Sequence, residues 1–128
     1  MEPIWLQRTA LLAIHSRMIA DYGGSDGIRD ENLLESAMAR PQNLFAYGNP
    51  DIFELAASYA FGIAKNHPFV DGNKRTAFMA AYVFLARNGW NFHAPEPDVV
   101  LTMVALASSE RTENEFAAWL KASSRAAT

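Results

Sequence analysis

The chain has no cysteine, which removes disulfide frameworks, thiolate zinc sites and cysteine nucleophiles at once. Basic excess is missing too. Eleven Lys and Arg stand against 14 Asp and Glu, a formal charge of −3, so no basic face is available to neutralise a nucleic-acid backbone. Any anion site must be local. Long apolar runs are also lacking: the longest, Ala77 to Ala86, is about half of the ~20 residues that cross a bilayer. Met1-Glu2-Pro3 lacks the basic start of a secretory signal. These absences lead to the expectation of a cytoplasmic protein with neither a membrane nor a nucleic acid as direct partner.

What is present is ordinary globular material. Half of the 128 residues are apolar and a fifth are charged, enough to bury one core without a staple. With no repeat, low-complexity tract or linker in view, residues 1–128 read as a single domain. Leu6, Ala10, Ala13, Ile14 and Met18 recur at helical spacing, which predicts a helix over 3–22 with Pro3 at its first position and Gly23-Gly24 as its stop. Asp30 is expected to cap a second helix that Pro41 ends. Residues 41–48, with Phe45 and Tyr47, then read as a surface loop or short hairpin. Asn49-Pro50-Asp51 predicts the start of a third helix, running to about Lys65, because Pro68 forces His67 into extended backbone. A fourth helix is expected from Gly72 or Asn73 to Arg87, apolar on every side and so buried all round. Helices over 97–108 and 113–123 complete the set, the last with a Thr112/Glu115 capping box. Nothing alternates with period two for long. The fold class expected is all-α, a bundle of about six helices.

Chemistry concentrates in residues 66–76, where an imidazole, a carboxylate, an amide, a glycine and two cations precede a helix. A helix amino terminus offers unbonded N–H groups and partial positive charge, hence a ready phosphate site. Gly72 lets the backbone approach the oxygens, Lys74 and Arg75 add full charges, and Asp71 is hard-oxygen chemistry for Mg²⁺. His67, just outside, could take a proton from an attacking hydroxyl. Singly, each residue reads as a cap, a solvated cation or a structural imidazole; together they describe phosphoryl or nucleotidyl transfer. A Walker A loop does not fit, since Gly72 is not adjacent to Lys74 and no strand precedes it.

The stretch His67-Pro-Phe-Val-Asp-Gly-Asn-Lys-Arg75 resembles the Fic signature His-Pro-Phe-x-(Asp/Glu)-Gly-Asn-Gly-Arg, departing from it at Lys74. That departure is the pattern of the Doc (death-on-curing) branch. Tyr22-Gly-Gly, Gly27-Ile-Arg-Asp, Leu34 to Pro41 and Phe84 to Gly89 are similar to Doc sequences as well. The resemblance implies a compact helical Fic fold with a short flap before the central helices and ATP with Mg²⁺ as cofactors. It implies His67 as general base, Asp71 as the Mg²⁺ and target-aligning carboxylate, Asn73 as a phosphate ligand, and Lys74 and Arg75 as the phosphate clamp. In Doc-type members the γ-phosphate is presented to a protein hydroxyl, a threonine of translation elongation factor Tu, which arrests translation. Such type II toxins are silenced by an antitoxin whose carboxy-terminal segment folds onto them. Lys74 fits the branch, because its stem fills the room a glycine leaves for the adenylylating pose.

Other positions leave alternatives open. Lys65 matches a basic position of Doc relatives and could touch the terminal phosphate, or equally be a helix-end cation lying along the surface. Phe45 and Tyr47 resemble the target-docking flap, or are ordinary loop packing. His15, in an apolar helix, reads as a packed, hydrogen-bonded residue rather than a ligand, and His93 with Asp98 lacks a second pair to make a metal site. Ser109 to Asn114 matches the short motif with which some Fic proteins set a glutamate against their own catalytic arginine, but the capping box already explains these residues. Protein kinase of the Doc type is the leading reading. Adenylyl transfer, a catalytically silent binding module and a plain helical bundle remain as rivals.

Overall fold

Residues 2–127 are described by the computed structural model. Six helices follow one another: α1 (Arg8–Tyr22), α2 (Glu31–Tyr47), α3 (Ile52–Asn66), α4 (Asn73–Arg87), α5 (Glu96–Ala107) and α6 (Glu113–Ala122). Two three-residue strands, β1 (Trp90–Phe92) and β2 (Ser124–Ala126), pair antiparallel and tie the end of the described chain to the turn after α4. The all-α expectation holds, with this ribbon as the one addition.

The helix ends follow from side chains that satisfy orphan amides. Asp30 accepts the Leu33 N–H at 3.0 Å, and Asp51 and Glu54 form a reciprocal capping box at α3, as do Thr112 and Glu115 at α6. The Glu115 carboxyl is held below its usual range by the Thr112 backbone N–H it accepts. Gly89, at φ 90°, ends the turn after α4 in the left-handed region.

Four expectations need correction. Residues 2–7 lie outside α1, which begins at Arg8. There the extended chain is drawn into tertiary contacts: Leu6 is buried and donates its N–H to the Tyr59 hydroxyl at 3.1 Å, and Ile4 exchanges two backbone bonds with the Asn88 side chain. Burial also pushes the Tyr59 phenol above its ordinary pKa. Secondly, Pro41 does not end α2 but sits inside it, buried. Its ring is fully buried, and this burial offsets the one backbone bond it removes. The expected loop of residues 41–48 is therefore helical as far as Tyr47, and the connection to α3 shrinks to residues 48–51. Thirdly, the cap of α3 is Asp51 rather than Asn49. Fourthly, α4 is not buried all round, since Lys74, Arg75 and Tyr82 are exposed.

The buried centre is α3, which packs on α2, α4, α5 and α6. Ten of its residues are buried, against seven on α4. Gly62 lets α2 come close, because a Cβ there would stand 3.2 Å from both Cα and Cβ of Ala37. With α3 as axle, α4 is held between α3 and α1, and its amino terminus opens at the surface beside α1 and α5.

Candidate functional site

The loop between α3 and α4 is framed by residues 24–30. Ile28 and Phe69 form an antiparallel bridge, the Val70 N–H donates to Gly27 at 3.0 Å, and the Pro68 carbonyl accepts from Arg29 and Asp30 at 2.7 and 3.1 Å. Arg29 adds its guanidinium, donating from Nε to the His67 carbonyl at 2.7 Å and from Nη2 to that of Asn66 at 2.9 Å. A cation on the last carbonyls of α3 suits the negative end of the helix dipole.

This clamp explains why His67 is not extended. Its φ of 50° and ψ of 56° are left-handed, although Pro68 follows, and such a conformation costs a non-glycine residue about 1–2 kcal/mol. The two charge-assisted bonds from Arg29 offset that cost. They also set where the imidazole begins. His67 is exposed.

Phe69 is buried and pinned from two sides. The Asn73 amide accepts from the Phe69 N–H at 3.0 Å and donates to its carbonyl at 2.9 Å. His15 lies flat on its ring, centroids 3.9 Å apart at 8°. His15 is 2% exposed and its Nε2 is 2.8 Å from the Asp71 carbonyl oxygen, the packed, hydrogen-bonded state expected of it. The Asp71 carboxylate accepts the Ser25 N–H through Oδ2 at 2.9 Å.

Gly72 follows at φ 76° and no side chain caps α4. The first α-helical bond here is from Thr76 N–H to the Gly72 carbonyl, at 3.0 Å, so the N–H groups of the first turn are left for a ligand. They face a cleft of about 630 Å³ lined by Tyr22 of α1, by Asp71, Gly72, Asn73, Lys74 and Arg75, and by apolar residues of α4 and α5 such as Phe78, Met79 and Met103. That size is in the usual range for small-molecule sites. The Arg75 guanidinium rests 4.3 Å over the Tyr22 ring, a parking place that a phosphate can compete for.

The structure thus brings five of the sequence candidates into one cleft, and leaves four outside its lining. His67 stands outside it. Lys65 donates to the Ala107 carbonyl at 3.2 Å and to the Ser109 hydroxyl, tying α3 to the end of α5. Phe45 packs edge-on against Trp5 at 5.6 Å, while Tyr47 is 91% exposed at the end of α2. Glu113 does not face Arg75. Its carboxylate takes two bonds from Arg40, at 2.6 and 2.7 Å. Asn73 spends its side-chain Oδ1 and one Nδ2 hydrogen on Phe69, which ties its amide to the loop. Sequence reasoning missed the site roles of Arg29 and Ser25; long-range backbone clamps leave no periodic signal.

Among the described residues no three His, Cys, Asp or Glu converge as a metal site. Among the described residues, the Asp71 carboxylate has a hydrogen-bond partner on Oδ2 and none on its other oxygen. One carboxylate plus phosphate oxygens and water suits Mg²⁺, which is ordinarily held this way. No helix of the described residues is long and apolar enough to cross a membrane.

The chain is 42% identical over 88 residues to the "Protein kinase doc" of Escherichia phage P1, an alignment covering 67% of this chain and 70% of that protein. It is 46% identical over 71 residues to "Toxin Doc" of Mycolicibacterium smegmatis, covering 53% of this chain and 54% of that protein. The family model described as "Fic/DOC family" matches residues 5–85, a span that holds α1 to α3, the clamped loop, the open helix start and α4 but for its last two residues. The chain belongs to the Fic/DOC family.

Proposed function

We propose that the chain is a toxin that transfers the γ-phosphate of Mg²⁺-ATP to a hydroxyl of a protein target. The observation that carries this reading is the uncapped start of α4, where free N–H groups, Lys74 and Arg75 surround one cleft with the Asp71 carboxylate at its edge. These groups bind and orient phosphate oxygens and neutralise their charge; there is little covalent work for a protein in phosphoryl transfer beyond this. Asp71 would hold a Mg²⁺ that arrives with the nucleotide, and that ion would supply further charge neutralisation. His67, exposed outside the cleft, is open to the hydroxyl of an incoming protein and takes its proton. The names of the two relatives, one a kinase and one a toxin, support the same reading. By resemblance the target is a threonine of elongation factor Tu, and a cognate antitoxin silences the toxin.

Adenylyl transfer is the second reading, and Lys74 stands against it. Its side chain is exposed at the second position of α4, and a lysine stem there would crowd a pyrophosphate lying along the backbone in that pose. The two are separated by incubating the protein and elongation factor Tu with ATP carrying label in the γ or the α position. Label on protein from γ-labelled ATP alone is the expected result. Transfer of α-label would replace the kinase reading with the adenylylating one.

A further inference from the structure

We propose that His15 is a positioning residue of the phosphate site, one that holds the Asp71–Gly72 peptide so that the Gly72 N–H joins the donors at the start of α4. The inference rests on reading that cleft as a phosphate site. A carbonyl oxygen only accepts, so the 2.8 Å contact between Nε2 of His15 and the Asp71 oxygen requires the proton on Nε2. In a trans peptide the N–H points opposite to the C=O. With the Asp71 carbonyl turned toward His15 on α1, the Gly72 N–H is turned away from it. That N–H has no protein acceptor among the described residues, and Gly72 lines the cleft.

The orientation has to be chosen by something, because Gly72 itself does not choose it. Glycine populates positive and negative φ about equally, and a half-turn of the Asp71–Gly72 peptide would reverse the φ of 76° seen here. The flipped peptide would present a carbonyl oxygen where the ligand needs a donor. Among the described residues His15 is the side chain that bonds the Asp71 carbonyl. Its ring cannot follow a flip: it is 2% exposed, is stacked on Phe69, and has Nδ1 facing Asp26 Oδ1 at 3.6 Å. Phe69 is in turn held by Asn73, so the imidazole is anchored to the very loop it orients.

The test is a titration with inorganic pyrophosphate, followed by the amide resonances of Gly72 and Lys74 in the intact chain, in His15→Phe and in His15→Gln. Phenylalanine keeps a flat ring on Phe69 without a donor, whereas glutamine restores an N–H. Losing one donor to a charged group weakens binding about ten- to a hundredfold. His15→Phe should therefore bind that much more weakly, with the Gly72 resonance displaced even without ligand, while His15→Gln should bind close to the intact chain. A folded His15→Phe that binds equally well, or a His15→Gln as weak as His15→Phe, overturns the role. Ring ¹⁵N shifts of the intact chain give a second reading that needs no variant: an Nδ1–H tautomer overturns it too. If the intact chain itself binds no pyrophosphate, the phosphate-site reading falls first and this inference with it.

Discussion

Glu113→Ala separates a structural ion pair from self-restraint. The Ser109 to Asn114 stretch matches a motif that restrains some Fic proteins, but Glu113 is bound end-on by the two terminal nitrogens of the Arg40 guanidinium, Nη1 and Nη2, at 2.6 and 2.7 Å. Arg40 also donates to the Ser58 hydroxyl at 3.1 Å and rests 4.6 Å over the Phe61 ring, so it is held in place whether or not Glu113 is there. The pair is half-buried, with side chains 39% and 24% exposed. Exposed pairs contribute about 0–1 kcal/mol, and a charged hydrogen bond in a protected place about 1.5–3. Partial screening puts Glu113→Ala at a loss of about 1–2 kcal/mol, and alanine leaves the helix propensity of α6 intact. For a chain of this length that is a fall in Tm of about 3–8 °C. A double-mutant cycle with Arg40→Met should return a coupling of about 1 kcal/mol. Transfer activity, measured well below Tm, should stay level. A several-fold rise in activity, with no loss of Tm, would refute the ion-pair account and make Glu113 a restraint.

Two further outcomes follow from the same geometry. Asn73→Ala leaves the buried Phe69 N–H and carbonyl without partners, which should cost about 2–4 kcal/mol in denaturant unfolding; a loss below about 0.5 kcal/mol would show that water replaces the amide at no cost. Tyr59 has its pKa raised from 10.0 by burial, so between the two values the unfolded chain carries fewer protons and stability falls with rising pH. The intact chain should lose stability as pH climbs above 10.0 toward the folded-state value, and Tyr59→Phe should remove that component of the loss; an unchanged slope would count against a buried phenol.

Much of this was legible in the sequence because the signals are local. Capping at Asp30 and Thr112, the stop at Gly89 and the crowding of charged residues ahead of α4 each depend on neighbours within a turn or two. The misreadings occur where a distant part of the chain decides. Pro41 stays inside α2, where tertiary packing buries it, and His67 turns left-handed because Arg29, thirty-eight residues earlier, binds its carbonyl. Lys65 is drawn to Ala107 and Ser109, across forty-two and forty-four residues. Asn73 could be placed in the loop from sequence, but not its two bonds to Phe69, which tie its amide to the loop.

The central claim is that one group in this loop moves a proton while another holds phosphate, and a pair of variants tests it most directly. Mg²⁺-ATP binding by calorimetry and transfer of γ-label are to be measured for His67→Ala and Arg75→Ala. His67 lies outside the cleft, so His67→Ala should bind nucleotide as the intact chain does and lose roughly two to four orders of magnitude in turnover. Arg75 lines the cleft, so Arg75→Ala should lose both affinity and rate. Nucleotide binding lost in His67→Ala but kept in Arg75→Ala, or full turnover in His67→Ala, would contradict the account.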